Sequence, residues 1–182
     1  MTLDEQEYHQ YVATHMKLLY YVGKAQELIS PAMTIGAFYK LPFQRKYQCR
    51  DELYKNMQLL DAYISEHTDQ LHGEEIRILQ GFKKKIQSDF IILKCLTNHC
   101  VFIDCRTDLI YTVKALSDPF EDFFHRFPVF CSTTLLPFKD VIIYDGFIST
   151  QGNVFLGPGL SATMNEKYKL AKKNHTIVTT LH

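Results

Sequence analysis

The spacing of apolar residues changes partway along this 182-residue chain, from the period of a helix to the period of a strand. In the first part, apolar side chains recur every three or four residues. This predicts helices over about 4–29 and 50–66, and a third helix that starts after Gly73. From about Ser88, apolar residues form short runs between turn residues instead. Helices followed by a group of strands are typical of the α+β class.

The second part of the chain predicts a small sheet. We expect strands over 90–95, 101–104, 109–116, 127–136, 141–148, 153–156 and 177–181, a short helix from Asp118-Pro119, and a capped helix from Thr163 to Lys173. Such short strands indicate a bent, mostly antiparallel sheet or an open barrel. The predicted protein therefore has an N-terminal helical region, 1–87, with about three helices. These pack on a β-rich region with a C-terminal helix, 88–182, and the two regions form one compact unit.

Charge and cysteine content argue against several classes of protein. The 20 Lys and Arg residues balance the 20 Asp and Glu residues, whereas proteins that bind duplex DNA are usually basic. No apolar run is long enough to cross a bilayer of ~30 Å, and the N-terminus does not read as a signal peptide. Five irregularly spaced cysteines do not suggest a disulfide framework, and favour a reducing compartment. We therefore expect a cytoplasmic protein.

One segment, 135–173, combines turn residues with polar groups and is the candidate ligand site. Tyr144-Asp145-Gly146 predicts a turn or bulge that needs positive φ at the glycine. The structural interpretation makes Asp145 a local hydrogen-bond acceptor. The functional one makes it an exposed carboxylate beside a phenol. Gly157-Pro158-Gly159, ahead of the Thr163 cap, would present free amides to an anion. The ligand-binding candidates are Tyr144, Asp145, Gly157, Gly159 and Thr163.

Cysteine and histidine spacing does not predict a metal site or a bound cofactor. Cys95, Cys100 and Cys105 are spaced five residues apart, with His99 beside the second. A hairpin at Thr97–His99 would bring Cys95 opposite Cys100, but structural zinc sites usually use close CxxC pairs and four ligands. We expect these cysteines to act as small apolar side chains.

Residues 38–50 interleave aromatic and cationic side chains, a composition found in proteins that bind single-stranded nucleic acid. The cations that would contact phosphate are Lys40, Arg45, Lys46 and, from the basic end of the third predicted helix, Lys83. The alternative, which we favour, is a linker whose aromatic rings pack on the core while the cationic side chains reach solvent.

The pattern LPFKxxIIYDGxI at 136–148, followed by GPG at 157–159 and by Ile177–Leu181, resembles the C-terminal segment of a group of uncharacterised bacterial proteins. The stretch 81–93 resembles the same group, so the likeness covers residues 76–181. The group has no assigned activity. The resemblance implies a bacterial, cytosolic origin and gives no residue a role.

For function, the sequence favours a non-catalytic ligand-binding or regulatory module, because it lacks a complete catalytic constellation. The second interpretation is an enzyme that acts on a phosphorylated or otherwise anionic small molecule, with Asp145 as base. A nucleic-acid-associated protein is the third. Whether the protein is an enzyme, what its partners are and whether it forms a homo-oligomer stay open at this stage.

Overall fold

The computed structural model describes residues 2–150 and 157–182. The chain divides into two compact units, one formed by Gln6–Lys83 and the other by Met1–Glu5 with Lys84–His182. The helices are α1 (Glu5–Ala25), α2 (Ile35–Tyr39), α3 (Phe43–Lys55), α4 (Gln58–Glu66), α5 (Gly73–Gly81), α6 (Phe120–Phe123) and α7 (Pro158–Lys173), with a 3₁₀ turn at Phe82–Lys84. The strands are β1 (Ile86–Cys95), β2 (Cys100–Asp104), β3 (Ile110–Lys114), β4 (Val129–Phe138) and β5 (Val141–Ser149).

The five strands form one mixed, mostly antiparallel sheet in the order β1-β2-β3-β5-β4, and β4 returns to β1. Closure depends on the parallel β3–β5 pairing, which joins only Val113 to Ile142 and Lys114 to Ile143. The strand order, with a helix between β3 and β4, is that of the OB-fold, a five-stranded Greek-key barrel. The predicted α+β class with a bent, mostly antiparallel sheet and a C-terminal helix is confirmed.

The inside of this sheet is filled by aromatic rings. Phe102 lies 5.9 Å from Phe90 and 5.3 Å from Phe120, measured between ring centroids. Phe120 in turn lies 5.1 Å from Tyr144. Phe120 comes from α6 and is fully buried, although the helix has only four residues. The predicted short helix at this position therefore plugs the barrel with one large side chain.

Residues that alternate with this aromatic file form the outer face of β1, β2 and β3, and α7 covers them. Met164 and Tyr168 of α7 pack against an aliphatic cluster. The members of that cluster are Ile91, Leu93, Val101, Ile103 and Ile110. The Lys94 ammonium lies 4.3 Å from the centroid of the Tyr168 ring. The near-continuous apolar runs of β1 and β2 follow from this arrangement, because strands covered on both faces lose the alternation of a half-exposed strand.

The helical unit packs around α1. Its buried side chains recur at helical spacing, and include Tyr11, Leu18, Leu19 and Val22. Gly23 allows α3 to approach closely, since a Cβ at that position would lie 3.0 Å from the Cys49 sulfur. Among the described residues, no helix combines the length and the apolar character that crossing a bilayer requires.

Several predicted boundaries were wrong. The segment predicted as a linker before residue 50 contains α2 and most of α3, and the helix predicted over 50–66 is two helices that break at Asn56-Met57. Residues 177–181 do not form a strand and contribute one bridge, Tyr111 to Val178. Thr2, which precedes α1, forms a bridge with Ala115. The strand predicted over 153–156 lies outside the described residues.

The aromatic file predicts that the barrel depends on Phe120. Phe120→Ala should lower the free energy of unfolding by about 3–5 kcal/mol, because it leaves a cavity at the centre of the ring cluster. Phe123→Ala is the matched control on the same helix, since Phe123 is 46% exposed, and should change it by less than about 0.5 kcal/mol. Urea unfolding followed by circular dichroism measures both. Equal losses in the two variants would contradict the assignment of Phe120 as the plug.

Candidate functional site

Tyr144 and Asp145 are buried within β5, with exposed fractions of 5% and 1%. The interpretation of Asp145 as an exposed carboxylate is therefore wrong. Its Oδ1 accepts a hydrogen bond from the Phe147 amide at 3.0 Å. Tyr144 faces the barrel interior against Phe120. Both side chains are held in the core and do not reach a ligand from solvent.

Asp145 and Gly146 form a β-bulge and not a turn between strands. The pairing of β4 with β5 shifts register between Thr133 and Leu135, and Gly146 has φ +91°. A residue with a Cβ would be strained at this φ, which explains why a glycine occupies the position. β5 pairs with β4 on both sides of the bulge, while Ile142 and Ile143 also pair with β3 through the other edge of the strand. The bulge bends β5 just beyond this doubly paired part. The structural interpretation of this tripeptide agrees with these contacts.

The helix predicted to start at Thr163 starts five residues earlier, at Pro158. Proline is favoured at the first helical position because its missing amide has no partner there. Gly157 is the N-cap, Gly159 lies inside the helix, and the Thr163 hydroxyl donates to the Gly159 carbonyl at 3.1 Å. The predictions of a capping box at Thr163 and of a glycine loop ahead of it are therefore wrong.

These two groups of predicted residues do not line one pocket. Tyr144 faces into the barrel, whereas α7 packs on the outer face of β1–β3. The wall of the sheet lies between them. An OB-fold barrel that binds nucleic acid uses the face of strands 2 and 3, and in this protein α7 occupies that face.

The cations proposed for nucleic acid are mostly engaged within the helical unit. The Arg45 guanidinium donates to the Leu28 carbonyl at 2.5 Å, and the Lys46 ammonium to the Tyr39 carbonyl at 3.1 Å. Lys83 forms an ion pair with Asp61 at 2.5 Å. Lys40 is exposed. Three of the four cations would have to give up an internal contact to bind phosphate.

Cys95 and Cys100 form a disulfide, so the expectation that they remain unbonded apolar side chains is wrong. The predicted hairpin is the reason, because it pairs Cys95 with Cys100 at the end of the β1–β2 ladder. Cys105 is free and exposed, while Cys49 and Cys131 are free and buried. Because Cys105 is exposed, the expectation of an apolar, packed side chain is wrong for this cysteine as well.

The helical unit contains a pocket of about 810 Å³, within the range of small-molecule sites. Its walls come from α1, from the segment after α1, and from α4 with the residues that follow it. The lining residues are Lys17, Tyr20, Tyr21, Lys24, Pro31, Ala32, Met33, Thr34, Ile35, Tyr63, His67, Gln70 and Leu71. All of them belong to the unit Gln6–Lys83, so this pocket is complete within one folded unit.

Three rings form one side of the pocket. The Tyr21 and Tyr63 centroids lie 5.2 Å apart, and His67 stands edge-on to Tyr21 at 5.8 Å. His67 also lies 4.5 Å from Tyr63, and its Nδ1 is 2.9 Å from the Tyr63 carbonyl. A carbonyl only accepts, so Nδ1 carries the proton in this contact. In the neutral form of the ring, Nε2 is then the acceptor.

Two phenols of the pocket, Tyr21 and Tyr63, have raised pKa values. Burial, with a smaller contribution from Glu75, raises the pKa of Tyr63 to about 12. Burial, followed by the hydrogen bond to Glu66, raises the pKa of Tyr21. Both phenols are therefore neutral at neutral pH.

The two lysines of the pocket differ in their contacts. Lys17 pairs with Glu75 at 3.0 Å. The Lys24 ammonium lies 4.6 Å from the centroid of the Tyr20 ring, and it has no carboxylate partner among the residues that the structure describes. Lys24 thus leaves a positive charge at the pocket that the protein itself does not neutralise.

Sequence reasoning missed this pocket, although a signal was present. Lys17, Tyr20, Tyr21 and Lys24 recur at i, i+3, i+4 and i+7, so they share one face of α1. That face lies beside the apolar stripe, and its mixture of polar and aromatic residues is also typical of an ordinary amphipathic helix. The partners on α4 are some forty residues away in sequence, and no spacing rule connects them to α1.

Comparison with known proteins gave no match of the chain to a protein-family model, to a curated protein or to a solved structure.

The buried Asp145 predicts a loss of stability when its carboxylate is removed. Asp145→Ala leaves the Phe147 amide without this acceptor, and should lower the free energy of unfolding by about 1–3 kcal/mol. Asp140→Ala, in the same β4–β5 hairpin but exposed, is the control and should cost less than about 0.5 kcal/mol. Chemical denaturation checks the difference. An Asp145→Ala protein as stable as the control would show that the bulge does not need the carboxylate.

Tyr63 predicts a loss of stability at high pH. An unfolded tyrosine ionises near its ordinary pKa of 10.0, whereas the buried phenol keeps its proton until about pH 12. The unfolded state therefore binds fewer protons in this window. The contribution is complete below pH 10 and falls as pH rises to about 12, by on the order of 2 kcal/mol.

Tyr63→Phe should remove this part of the pH dependence, since phenylalanine does not ionise. Tyr39→Phe is the control, because Tyr39 is 41% exposed. Urea unfolding at several pH values between 8 and 12 measures the slope for each protein. A Tyr63→Phe protein that keeps the slope of the parent would refute the assignment.

Proposed function

We propose that this protein is a non-catalytic ligand-binding module whose helical unit holds a small, planar anion in the pocket between α1 and α4. The observation that carries the proposal is the combination of stacked rings with the Lys24 ammonium in one concave site. Such sites are mostly apolar, with a few placed polar groups that fix the orientation of the ligand.

The aromatic wall supports a planar ligand. Tyr21, Tyr63 and His67 present ring faces and edges within one cluster, and aromatic groups gain from offset or edge-to-face contact with such rings. Met33 and Ile35 also line the pocket and supply aliphatic surface. The hydroxyl of Tyr20 donates a hydrogen bond to the Met33 carbonyl at 2.6 Å. This bond joins α1 to the segment after it, and the hydroxyl proton is therefore not offered to a ligand.

Lys24 supports a negative charge on that ligand. Its ammonium is half-buried and lies over an aromatic face, a position that a bound carboxylate or sulfonate would complete with a charge-assisted hydrogen bond. Lys17 is less suited to this role because Glu75 already pairs with it.

The lining residues support binding without catalysis. Of the described residues that line the pocket, none is a serine, a cysteine or a carboxylate. The raised pKa of Tyr63 makes its phenol a weak acid, and therefore a reluctant proton donor at neutral pH. We find no feature here that favours the enzyme or the nucleic-acid interpretation over a binding module.

A bacterial, cytoplasmic setting is part of the same proposal. The resemblance of residues 76–181 to uncharacterised bacterial proteins supports the origin. The free thiols of Cys49, Cys105 and Cys131 support a reducing compartment, where unpaired cysteines persist and where the Cys95–Cys100 disulfide would be reduced.

A pair of fluorescent probes tests the proposal. The anion 8-anilinonaphthalene-1-sulfonate, which carries a planar naphthalene ring, should bind the native protein with enhanced fluorescence, and N-phenyl-1-naphthylamine, which lacks the sulfonate, should bind more weakly. Lys24→Gln should weaken sulfonate binding roughly tenfold, about 1.4 kcal/mol, because it removes the charge-assisted contact. The neutral probe should be insensitive to this change.

Lys40→Gln is the matched control, since Lys40 is an exposed lysine of the same unit outside the pocket. Its affinity for the sulfonate probe should equal that of the parent. Circular dichroism verifies that each variant is folded, because the probe also binds loosened states. Equal weakening by the two substitutions, or no response to Lys24→Gln, would overturn the pocket as an anion site.

A further inference from the structure

Three side chains with metal-binding atoms converge at one end of the β-rich unit. The sulfurs of Cys95 and Cys100 and a carboxylate oxygen of Glu121 all lie within 4.8 Å of one another. Cys100 is buried, Cys95 is half-buried and Glu121 is exposed. Around a tetrahedral zinc ion, with bonds of about 2.0–2.3 Å, such ligand atoms stand roughly 3.5–4 Å apart. The two sulfurs are bonded in the disulfide and reach this spacing once the bond is reduced, and the exposed Glu121 side chain can adjust to them.

The fold fixes this juxtaposition independently of any bond between the sulfurs. Cys95 and Cys100 are the last cross-strand pair of the β1–β2 ladder, and the Leu96 amide donates to the His99 carbonyl at 2.8 Å to close the hairpin. Glu121 follows Phe120, the ring that plugs the barrel. The hairpin end and α6 are therefore both anchored to the same aromatic core.

We infer that the reduced Cys95–Cys100 pair and Glu121 form a binding site for a thiophilic divalent cation such as Zn²⁺, and that oxidation of the pair abolishes it. Two thiolates and one carboxylate give three protein ligands and leave a fourth position open. Thiolate ligands favour zinc over magnesium or calcium, which prefer oxygen alone. This site lies outside the proposed ligand pocket, so each can fail without the other.

The oxidation state of the pair decides whether the site exists. In the disulfide, each sulfur is neutral and a poor ligand, whereas a thiolate carries a negative charge and an additional lone pair that it can donate to a metal. A dithiol reductant supplies two electrons and two protons. The S–S bond breaks, two thiols form, and the reductant becomes a cyclic disulfide. Zn²⁺ then displaces the two thiol protons as it binds.

The other cysteines do not offer a competing site. Burial raises the pKa of Cys49 to about 11, and burial also raises the pKa of Cys131. Cys105 is exposed, and its pKa is raised by partial burial and by the neighbouring carboxylates of Asp89, Asp104 and Asp108. Cys105→Ser therefore removes the one exposed free thiol among the described residues. In this variant, metal binding by thiolates can be assigned to Cys95 and Cys100.

Cobalt(II) binding to the Cys105→Ser protein tests the site. After reduction and anaerobic removal of the reductant, one equivalent of Co²⁺ should produce a thiolate-to-cobalt charge-transfer band in the near ultraviolet. The oxidised protein should produce none. Glu121→Gln should weaken binding at least ~10-fold, the scale seen when a metal site loses an oriented partner. Asp122→Asn, the exposed neighbour on α6, should leave the affinity within about twofold.

A redox titration gives a second, independent readout. Because Zn²⁺ binds only the reduced form, each tenfold excess over its Kd should raise the apparent reduction potential of the pair by about 30 mV. Glu121→Gln should reduce this shift without requiring either cysteine to be replaced, so folding of the hairpin is not at risk. Cobalt binding without the thiolate band, equal affinity in the oxidised protein, or identical behaviour of Glu121→Gln and Asp122→Asn would overturn the assignment.

Discussion

The β-rich unit depends on the closure of five short strands around a single file of aromatic rings. A barrel with so few strands has an interior that only side chains can fill, and here Phe90, Phe102, Phe120 and Tyr144 fill it. Closure requires β5 to pair with β4 along one edge and, in parallel, with β3 along the other. The bulge at Asp145-Gly146 bends β5 just beyond the residues that pair on both edges, so the residues that look most like a binding motif in the sequence serve the geometry of the barrel.

The same constraint brings metal-binding atoms together at the end of the barrel. Because the plug residue comes from a helix of four residues, the side chain that follows it is carried to the rim, beside the end of the first hairpin. A carboxylate and two sulfurs thus become neighbours as a consequence of filling the interior. The pocket of the helical unit has a different origin. It forms where the aromatic face of α1 meets α4, and its lining residues all come from the helical unit.

Much of the fold was predictable because it follows from local patterns. The helical period of the first part, the strand runs after residue 88 and the hairpin at Thr97–His99 all correspond to observed elements. The errors came from competing local signals. Thr163 to Glu166 matches a capping box, but Gly157 and Pro158 start the helix earlier. The basic, aromatic composition of α3 conceals a helix because no acid or N-cap side chain marks its start.

The candidate sites were less predictable, for a physical reason. A turn residue and a bulge residue carry the same sequence signature, and only pairing with β4 and burial distinguish them. The pocket joins side chains from α1 and α4 through tertiary packing, and neither segment alone contains a recognisable motif. The metal-binding atoms depend on strand register and on the position of α6, which composition does not specify.

The cover that α7 provides has a consequence for the solubility of the β-rich unit. Without Met164 and Tyr168, the outer face of β1–β3 would expose a continuous aliphatic surface formed by five side chains. Exposed sheet faces of this kind drive aggregation. The helix therefore covers an aliphatic surface of the sheet, and we expect a fragment that ends before residue 157 to aggregate through that surface.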